Sequence, residues 1–406
     1  MAVFAKGRAL VIGGSLGGLF AANLLADRGW DVQVFERVGD DLASRGAGIG
    51  THKALVDTLA RLGIPMDARL GHKSGDRSCV DRDGRILYRT YWGHVMSAWA
   101  NVYRPLKDRF PKDCYHFSRS LTSFQEDRGG VTAHFEDGAS ASGNLLVGAD
   151  GLRSAVRGKL FPGVEPNYAG YVAWRGIVDE STLPADARRW LHGGYWFVLP
   201  PGEMFLCYQV PTQGQLDWNY VWYRPVTEAG LRELCTDADG NVHPGGGIPP
   251  PFLRPVFIEE IKRAARKLLA PHLATLVGVS QPFFQAVVDI ESPRLTAGRV
   301  ALLGDAAFVA RPHIGAGVTK AALDAVCLSN SLEGATLEQA LARYDRLRSE
   351  YGRRCVARAR RLGSYIEAKS RPERAWTPEQ LDQRPERLLQ EVALALEEIP
   401  ELAIEV

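Results

Sequence analysis

The sequence predicts an α/β fold in which a Rossmann-like domain is interleaved with a mainly antiparallel β-sheet domain and is followed by C-terminal helices. An apolar strand at 8–12 leads through a glycine-rich turn into a helix at 16–28 and a second strand at 31–35, which together form a βαβ unit. Short runs rich in aromatic and β-branched residues between 168 and 224 are typical of antiparallel strands. Apolar residues at helical spacing dominate 256–269, 318–332 and 337–368.

Composition and charge restrict the classes of function. The chain has 406 residues, of which 46% are hydrophobic and 24% charged, as expected of a globular protein with more than one core. Its 49 basic and 47 acidic residues give a net charge of +2 without a basic block. We therefore expect a small-molecule ligand and neither nucleic acid nor a membrane as a partner.

The cysteines predict neither a disulfide framework nor a metal site. They lie far apart and form no C-x-x-C pair and no Cys/His spacing suited to zinc. The cysteines are Cys79, Cys114, Cys207, Cys235, Cys327 and Cys355. Since no segment reaches the ~20 apolar residues of a membrane span, we expect a reduced, cytoplasmic protein without a bound metal.

The turn after the first strand, GGSLGG at 13–18, nearly matches the dinucleotide-binding pattern G-x-G-x-x-G. Gly13 permits the tight turn, Gly18 permits close packing of the helix on the strand, and amides at the helix start can face a pyrophosphate. Ser15 replaces the middle glycine, but its hydroxyl can donate to a phosphate oxygen. Glu36, at the end of the second strand, is placed to accept from ribose hydroxyls. By itself the loop could also be an ordinary turn.

Two further glycine-containing segments follow apolar strands. The stretch GADGLRSAVR at 148–157 carries Asp150, and GRVALLGDAAFVARPHIGAGVTKAALDA at 298–325 carries Asp305. An aspartate at a strand end can accept hydrogen bonds from a sugar or polyol, and a helix opened by the glycines at 315–317 favours negative charge on a bound ring. Each segment alone could be a turn, but packing does not explain their joint presence in this order.

These three motifs resemble those of the single-component FAD-dependent aromatic hydroxylases, the group A flavoprotein monooxygenases with the p-hydroxybenzoate hydroxylase fold. The resemblance extends from residue 8 to about residue 350. The stretches YAGYVAWRG, VWYRPV and GDAAFVARPHIGAG are most similar to the branch of the 2,6-dihydroxypyridine 3-hydroxylases and their relatives. The resemblance therefore implies a hydroxylated N-heteroaromatic substrate.

The resemblance divides the chain into interleaved segments. FAD-binding segments are expected at 1–75, 99–165 and 285–350. A substrate-domain insertion is expected at 76–98, a substrate-binding sheet domain at 166–284 and a C-terminal helical segment at 351–406.

The resemblance also implies a non-covalent FAD held by residues from all three motifs. Ser15 and Leu16 would donate backbone amides to the pyrophosphate, Glu36 would accept from the adenosine ribose, and Asp305 would hold the ribityl chain. The expected set is Gly13, Ser15, Leu16, Gly18, Glu36, Arg37, Arg45, Arg104, Leu121, Asp150, Asp305, Pro312, Gly315, Ala316, Gly317 and Val318. Many relatives carry a polar side chain where this chain has Ala316, so a side-chain contact from that position is in doubt.

The reaction implied by the resemblance uses NADH or NADPH as a transient electron donor and O2 as co-substrate. Reduced FAD would react with O2 to form a C4a-hydroperoxyflavin, whose distal oxygen is attacked by an electron-rich ring. Asp150 and Arg157 belong to the motif linked to both FAD and the nicotinamide donor. The cofactor carries the difficult chemistry, while the protein excludes water and orients the ring.

Histidines near the flavin-lining loop are the candidate acid/base groups. His313 could accept a proton from a ring hydroxyl, or it could only satisfy loop carbonyls. His52 could face the same cavity, or it could be a surface residue at a helix start. Tyr208, Trp222 and Arg311 are the candidate substrate contacts, although aromatic residues in a sheet are commonly core.

Other features leave alternatives open. Arg175, in the W-R-G stretch, is expected to support the fold more than to bind substrate, and the basic run at 353–361 to be a solvated helix face or a homodimer contact. The substrate could instead be another electron-rich ring, such as a purine, a hydroxybenzoate or a secondary-metabolite phenol. A catalytically silent flavin-binding redox protein is the alternative from a different class.

Overall fold

A computed structural model of the protein describes residues 6–42, 48–91, 93–212, 214–394 and 399. The strands are β1 (Arg8–Ile12), β2 (Asp31–Phe35), β3 (Gly48–Thr51), β4 (His72–Lys73), β5 (Arg77–Val80), β6 (Ile86–Thr90), β7 (Val95–Ala98), β8 (Tyr115–His116), β9 (Leu121–Glu126), β10 (Val131–Phe135), β11 (Ser140–Gly143), β12 (Leu145–Gly148), β13 (Asn167–Asp179), β14 (Tyr195–Val198), β15 (Met204–Thr212), β16 (Gln215–Pro225), β17 (Phe283–Glu291), β18 (Thr296–Ala297), β19 (Val300–Leu302) and β20 (Phe308–Val309). The helices are α1 (Leu16–Asp27), α2 (Lys53–Arg61), α3 (Trp99–Arg109), α4 (Ala155–Leu160), α5 (Ala185–Leu191), α6 (Glu228–Leu234), α7 (Pro255–Leu268), α8 (Pro271–Val279), α9 (Gly317–Ser331), α10 (Leu337–Ser370), α11 (Pro378–Leu381) and α12 (Pro385–Glu391).

The predicted nucleotide-binding half is built on a six-stranded sheet of order β18-β19-β12-β1-β2-β8. Its neighbouring strands are parallel, apart from the antiparallel pair β18 and β19. The apolar run of β1 is buried, as is typical of a parallel strand covered on both faces. The carboxyl ends of β1, β12 and β19 meet at one edge, which brings the three glycine motifs together.

An eight-stranded sheet of order β20-β17-β13-β16-β15-β14-β5-β6 forms the second half. Its neighbours are antiparallel except for the parallel pair β14 and β5. The predicted insertion at 76–98 supplies β5 and β6, whereas β7 pairs with β3 and β4. The expected boundary at 284 falls inside β17, because this strand continues to Glu291. The remaining small sheet has the order β11-β10-β9. These sheets and the helices after them confirm the predicted fold class.

The eight-stranded sheet has two faces that bury different residues, because side chains alternate along a strand. On the outer face, Trp222 joins a core cluster with residues of α7 and α8. On the inner face, Tyr171 and Tyr223 join a cluster with residues of α10. The inner face also meets Ile314, in the glycine-rich loop before α9. Register therefore decides which aromatic residues can reach the nucleotide-binding half.

The long helix α10 begins at Leu337, so the expected boundary at 351 falls inside it. Its basic run is held by contacts within the chain. Arg353 donates to the Pro293 carbonyl, Arg360 pairs with Asp289 and Glu291, and Arg361 lies 2.8 Å from Glu391. Among the described residues, no helix combines the length and apolarity needed to cross a bilayer.

Candidate active site

A cavity of about 420 Å³ opens at the carboxyl ends of β1, β2, β12 and β19. It lies at the strand edge where open α/β sheets bind ligands. The predicted cofactor residues that line it are Gly13, Ser15, Leu16, Glu36, Arg37, Leu121, Asp150, Asp305, Gly317 and Val318. The structure thus collects residues from all three motifs around one cavity.

The glycine loop at the start of α1 has the geometry of a phosphate-binding turn. Gly13 has a φ of +101°, a conformation that favours glycine, and a Cβ on Gly18 would collide with the Gly13 carbonyl oxygen. Ser15 is the N-cap of α1, and its side chain makes no capping hydrogen bond. The amides of the first helical turn lack intrahelical partners. The loop can therefore present both amides and a free hydroxyl to an anion.

Glu36 connects the end of β2 to this loop. One carboxylate oxygen accepts from the Gly14 amide at 2.8 Å, and the other accepts from the Val38 amide at 3.0 Å. Tyr115 donates its hydroxyl to the Gly14 carbonyl at 3.0 Å. The carboxylate is therefore fixed at the cavity wall, where its remaining lone pairs can accept from ribose hydroxyls.

The D-G motif shapes the opposite wall mainly through its backbone. The Asp150 carboxylate accepts from the Ser154 hydroxyl at 2.5 Å and from the Ala155 amide at 2.7 Å, which occupies it at the start of α4. Arg157 donates to the carbonyls of Leu152 at 2.6 Å and Ala306 at 3.1 Å. Arg157 therefore ties the D-G segment to the G-D segment, a role that requires the fold to bring the two together.

The G-D motif places Asp305 at the point where this cavity meets a second cleft. Asp305 is exposed at the cavity surface, and desolvation by the protein packed around it raises the pKa of its carboxyl group. Its side chain forms no hydrogen bond with any residue that the structure describes. An unpaired carboxylate beside a cavity is well suited to accept from the hydroxyls of a polyol chain.

The loop from Pro312 to Val318 follows the G-D motif. Gly315 has a φ of +62°, and Ala316 is the buried N-cap residue of α9. Gly317 and Val318 line the cofactor cavity, and Pro312 lines the second cleft. Because Ala316 has an apolar side chain, only backbone groups of this position can bond a flavin ring.

The residues present fit FAD. The glycine loop suits a pyrophosphate, Glu36 a ribose and the unpaired Asp305 a ribityl chain. Some residues predicted to contact the cofactor do not line this cavity. Arg104 is exposed on α3 and does not line it, while Arg45 lies outside the described residues. Gly18 acts through helix packing and not through the cavity surface.

The structure separates the two aromatic residues predicted to contact substrate. Tyr208 lies on the inner face of the sheet with Tyr195 and Tyr223. Trp222 is fully buried on the outer face, where it contacts Phe205 with ring centroids 6.0 Å apart. The prediction for Trp222 is wrong, because strand alternation turns its side chain away from the cofactor cavity.

The Arg311 side chain, also predicted to contact substrate, binds other residues of the protein. Its side chain is 2% exposed and donates to Asp289 at 2.9 Å and to Glu367 at 2.7 Å. These carboxylates neutralise the guanidinium and fasten the loop to β17 and α10. The prediction of a substrate anchor at Arg311 is therefore corrected to a structural ion-pair network.

His313 is buried among aromatic rings. Its Nε2 shares a hydrogen bond of 2.8 Å with the Tyr171 hydroxyl, and its ring centroid lies 4.5 Å from that of Tyr223. Burial, followed by the charge of Arg311, lowers the pKa of His313 to about 3. A neutral imidazole of such low pKa is a weak base at neutral pH. The geometry therefore argues against His313 as the general base.

His52 is the N-cap residue of α2, but it is buried and not at the surface. Its Nδ1 shares a hydrogen bond of 2.9 Å with the Thr319 hydroxyl on α9. Burial, followed by the charge of His94, lowers the pKa of His52 to about 4. His52 therefore joins α2 to α9 as a neutral side chain, and the sequence-based hypothesis of a catalytic role has no support in its geometry.

Acid should destabilise the protein through these two histidines. Unfolding exposes them and restores a pKa near 6.5, so the unfolded chain binds more protons between pH 6.5 and the folded values of about 4 and about 3. Their contribution to stability is complete above pH 6.5 and is lost as the pH falls. Between pH 7 and pH 5 we expect a loss of about 2 kcal/mol for each histidine.

Urea unfolding at these two pH values tests this expectation. His52→Gln should remove about one histidine's share of the pH dependence. The exposed residue His192 provides the matched control, and His192→Gln should retain the wild-type pH dependence. Equal pH dependence in the wild type and His52→Gln would contradict the assignment.

Residues of α12 and the segment after it pack against the inner face of the eight-stranded sheet, a contact that the sequence did not predict. Arg77 donates to the carbonyls of Leu389 at 2.6 Å and Val392 at 2.5 Å, and the Ala393 amide donates to the His313 carbonyl at 2.8 Å. Val392 and residues of α12 pack in the inner-face cluster. A pattern of local periodicity contains no signal for a contact between residues so distant in sequence.

A second cleft of about 810 Å³ adjoins the cofactor cavity, with which it shares Arg153 and Asp305. Strands β13 and β17, the connector at 243–249 and Pro312 line it. Arg175, expected to support the fold, lies in its wall, and the Arg175 Nε is buried without a hydrogen-bond partner. The W-R-G stretch does not indicate which face of the sheet the Arg175 side chain lies on, whereas the strand register does.

The chain is similar to known proteins that are named for FAD or for a monooxygenase activity. A family described as FAD binding domain-like matches residues 168–289. The chain is 33% identical to a 2,6-dihydroxypyridine 3-monooxygenase from Paenarthrobacter nicotinovorans, over 79% of this chain and 82% of the relative. It is 31% identical to an FAD-dependent urate hydroxylase from Klebsiella pneumoniae, over 94% and 96% of the two chains.

Solved structures show the same similarity. The 2,6-dihydroxypyridine-3-hydroxylase from Arthrobacter nicotinovorans aligns with a TM-score of 0.85 and 29% identity, over 93% of this chain and 95% of that chain. Klebsiella pneumoniae HpxO in complex with FAD and uric acid aligns with a TM-score of 0.77 and 26% identity, over 96% of both chains.

Proposed function

Because the chain belongs to the FAD-dependent aromatic hydroxylases, we propose that it hydroxylates a ring of the hydroxypyridine class with O2 and NADH or NADPH. One oxygen atom of O2 is inserted into a ring C–H bond, and the other leaves as water. The nicotinamide donor supplies two electrons, and FAD, when bound, supplies the chemistry that activates O2. The proteins named for 2,6-dihydroxypyridine support this choice of ring.

The observation that carries the proposal is the second cleft beside the FAD cavity. It lies at Asp305 and Pro312, next to the loop that fits a flavin ring. Its wall includes the cationic side chain of Arg175 and the aromatic residues Phe283 and Phe284. A flat, electron-rich ring with an acidic hydroxyl matches such walls. The chain's own contribution is to orient this ring, exclude water and bind its polar groups.

Substrate-stimulated oxidation of NADH or NADPH tests the proposal. The purified protein should be yellow, and 2,6-dihydroxypyridine should accelerate oxidation of the donor at least about tenfold, because a bound ring completes the site. With labelled O2, mass spectrometry should find one labelled oxygen in the ring product. Donor oxidation that yields only hydrogen peroxide with every ring tested would contradict the proposal.

A purine is the second candidate substrate. The similarity to FAD-dependent urate hydroxylase covers 94% of this chain, which is a larger share than the 79% for the dihydroxypyridine enzyme. Parallel assays with uric acid and 2,6-dihydroxypyridine distinguish the two rings. A hydroxylated product from uric acid alone would replace the first candidate with the second.

A further inference from the structure

We propose that Arg175 is the substrate-binding cation of this site and that its guanidinium binds an ionised oxygen of the aromatic ring. This inference rests on the proposed function and assigns it a recognition residue. It also specifies the substrate class as rings with an acidic hydroxyl group, such as hydroxypyridines in their anionic form.

The position of Arg175 in the sheet directs its side chain to the inner face. On β13 it lies directly opposite Val221 of β16, with Asn219 and Tyr223 as the diagonal neighbours on the same face. The next strand places Tyr208 opposite Asn219. The positive charge of Arg175 is close enough to counter part of the burial-induced rise in the pKa of Tyr208 and Tyr223.

The guanidinium lacks the partners that other buried arginines have. Arg311 and Arg348 pair with carboxylates, and Arg77 and Arg157 donate to backbone carbonyls. Arg157 also has a buried Nε without an acceptor, but its other guanidinium nitrogens donate to carbonyl oxygens. The Arg175 Nε is likewise buried without an acceptor, and this side chain forms neither a hydrogen bond nor a salt bridge with any described residue. Because a partly buried cation without a partner is unfavourable, the arrangement is suited to an anionic ligand.

The other charged groups of the cleft are less suited than Arg175 to bind an anionic ligand. Arg153 donates to the Pro244 carbonyl at 2.7 Å, and His243 lies 3.0 Å from Asp237. Asp305 lines both the cofactor cavity and the cleft, but it is acidic and cannot bind an anion as a cation does. Among the cationic side chains in the described part of the cleft, Arg175 is therefore the one that makes no hydrogen bond or ion pair with a described residue. A guanidinium also donates charge-assisted hydrogen bonds, which are stronger than neutral ones.

Ring binding to the FAD-loaded enzyme, measured by the change in flavin absorbance, tests the inference. The probes are 2,6-dihydroxypyridine and its uncharged analogue 2,6-dimethoxypyridine. Arg175→Gln should raise the Kd of the dihydroxy ring at least about tenfold and leave that of the dimethoxy ring within about twofold, because only the first loses a charge-assisted bond. Arg175→Lys should recover part of the loss, since it retains a point charge without the planar fork.

Arg188→Gln is the matched control, because Arg188 is an exposed arginine of the same domain and should leave both Kd values unchanged. An unchanged Kd for the dihydroxy ring in Arg175→Gln would overturn the inference. An equal loss for both rings, or an effect confined to the KM of NADH or NADPH, would overturn it as well.

The same assay separates this inference from the proposed function. If the wild type forms the hydroxylated product but Arg175→Gln binds the ring normally, only the role of Arg175 fails. If the wild type binds the ring without hydroxylating it, the proposed function fails, and the comparison of Kd values still decides the role of Arg175. If the wild type binds neither this ring nor any other acidic hydroxy ring, both fail.

Discussion

Replacement of Glu36 by alanine should yield protein that has lost nearly all of its FAD. The carboxylate holds the Gly14 amide at 2.8 Å and stands where the adenosine ribose is expected. The alanine variant would lose the two hydrogen bonds expected between the Glu36 carboxylate and the ribose hydroxyls. Since a hydrogen bond to a charged group contributes about 1.5–3 kcal/mol, this loss should weaken FAD binding at least about a hundredfold. The ratio of flavin to protein absorbance and an FAD titration of the stripped protein measure this effect.

Two further variants test whether the loss of FAD results from removal of the Glu36 carboxylate. Glu36→Gln retains an acceptor without the charge and should lie between the alanine variant and the wild type. Glu338→Ala removes an exposed carboxylate at the start of α10 and should retain full flavin content. Circular dichroism establishes that each variant is folded. A folded Glu36→Ala protein with wild-type FAD affinity would contradict the assigned role.

Replacement of Arg348 by methionine should cause the largest loss of stability among the changes considered. Arg348 donates to Asp324 at 2.7 Å, and both side chains are almost completely buried. Although burial alone would raise the pKa of Asp324, the charges of Lys320 and Arg348 hold it below its usual value. Removal of one partner from a buried pair should lower the free energy of unfolding by about 3–5 kcal/mol.

Loss of the Arg348–Asp324 pair should also destabilise the G-D motif. Asp324 accepts from the Gly304 amide at 2.9 Å, and Lys320 donates to the Gly304 carbonyl at 2.7 Å. Urea unfolding at saturating FAD measures the stability. Combining Arg348→Met with Asp324→Leu should cost less than the sum of the single changes, because it leaves no buried charge of this pair unbalanced.

A surface pair provides the control for the buried one. Arg69 and Asp67 lie 2.6 Å apart, but the Arg69 side chain is 88% exposed. Solvent screens this pair, so Arg69→Met should leave the urea midpoint unchanged. Additive single effects at Arg348 and Asp324, or a small loss in Arg348→Met, would show that the buried pair does not hold α9 to α10.

Much of the nucleotide-binding half could be predicted because its determinants are local. The runs of β1 and α1 have the periodicity of a strand and a helix, and the turn between them needs glycine at Gly13 for its positive φ. The family resemblance then associated Asp150 and Asp305 with the same cofactor. The parallel sheet places the ends of β12 and β19 side by side, which brings Asp150 and Asp305 to one cavity. Their contacts with the cofactor stay predictions.

The roles of several side chains could not be predicted in the same way. Arg311 is neutralised by Asp289 and Glu367, which lie 22 and 56 residues away in the sequence. His313 is a plausible base in the sequence, but burial and a neighbouring cation remove most of its basicity. Such properties depend on which distant groups the fold brings within a few ångströms.

By itself, the sequence determined the element types, the glycine turns and the FAD-dependent hydroxylase family, because these depend on local periodicity and on motifs within short stretches. Only the tertiary structure decided that Tyr208 and Arg175 face the cofactor half while Trp222 faces the opposite core. The physical reason is strand register: a shift of one residue turns a side chain to the other face of the sheet.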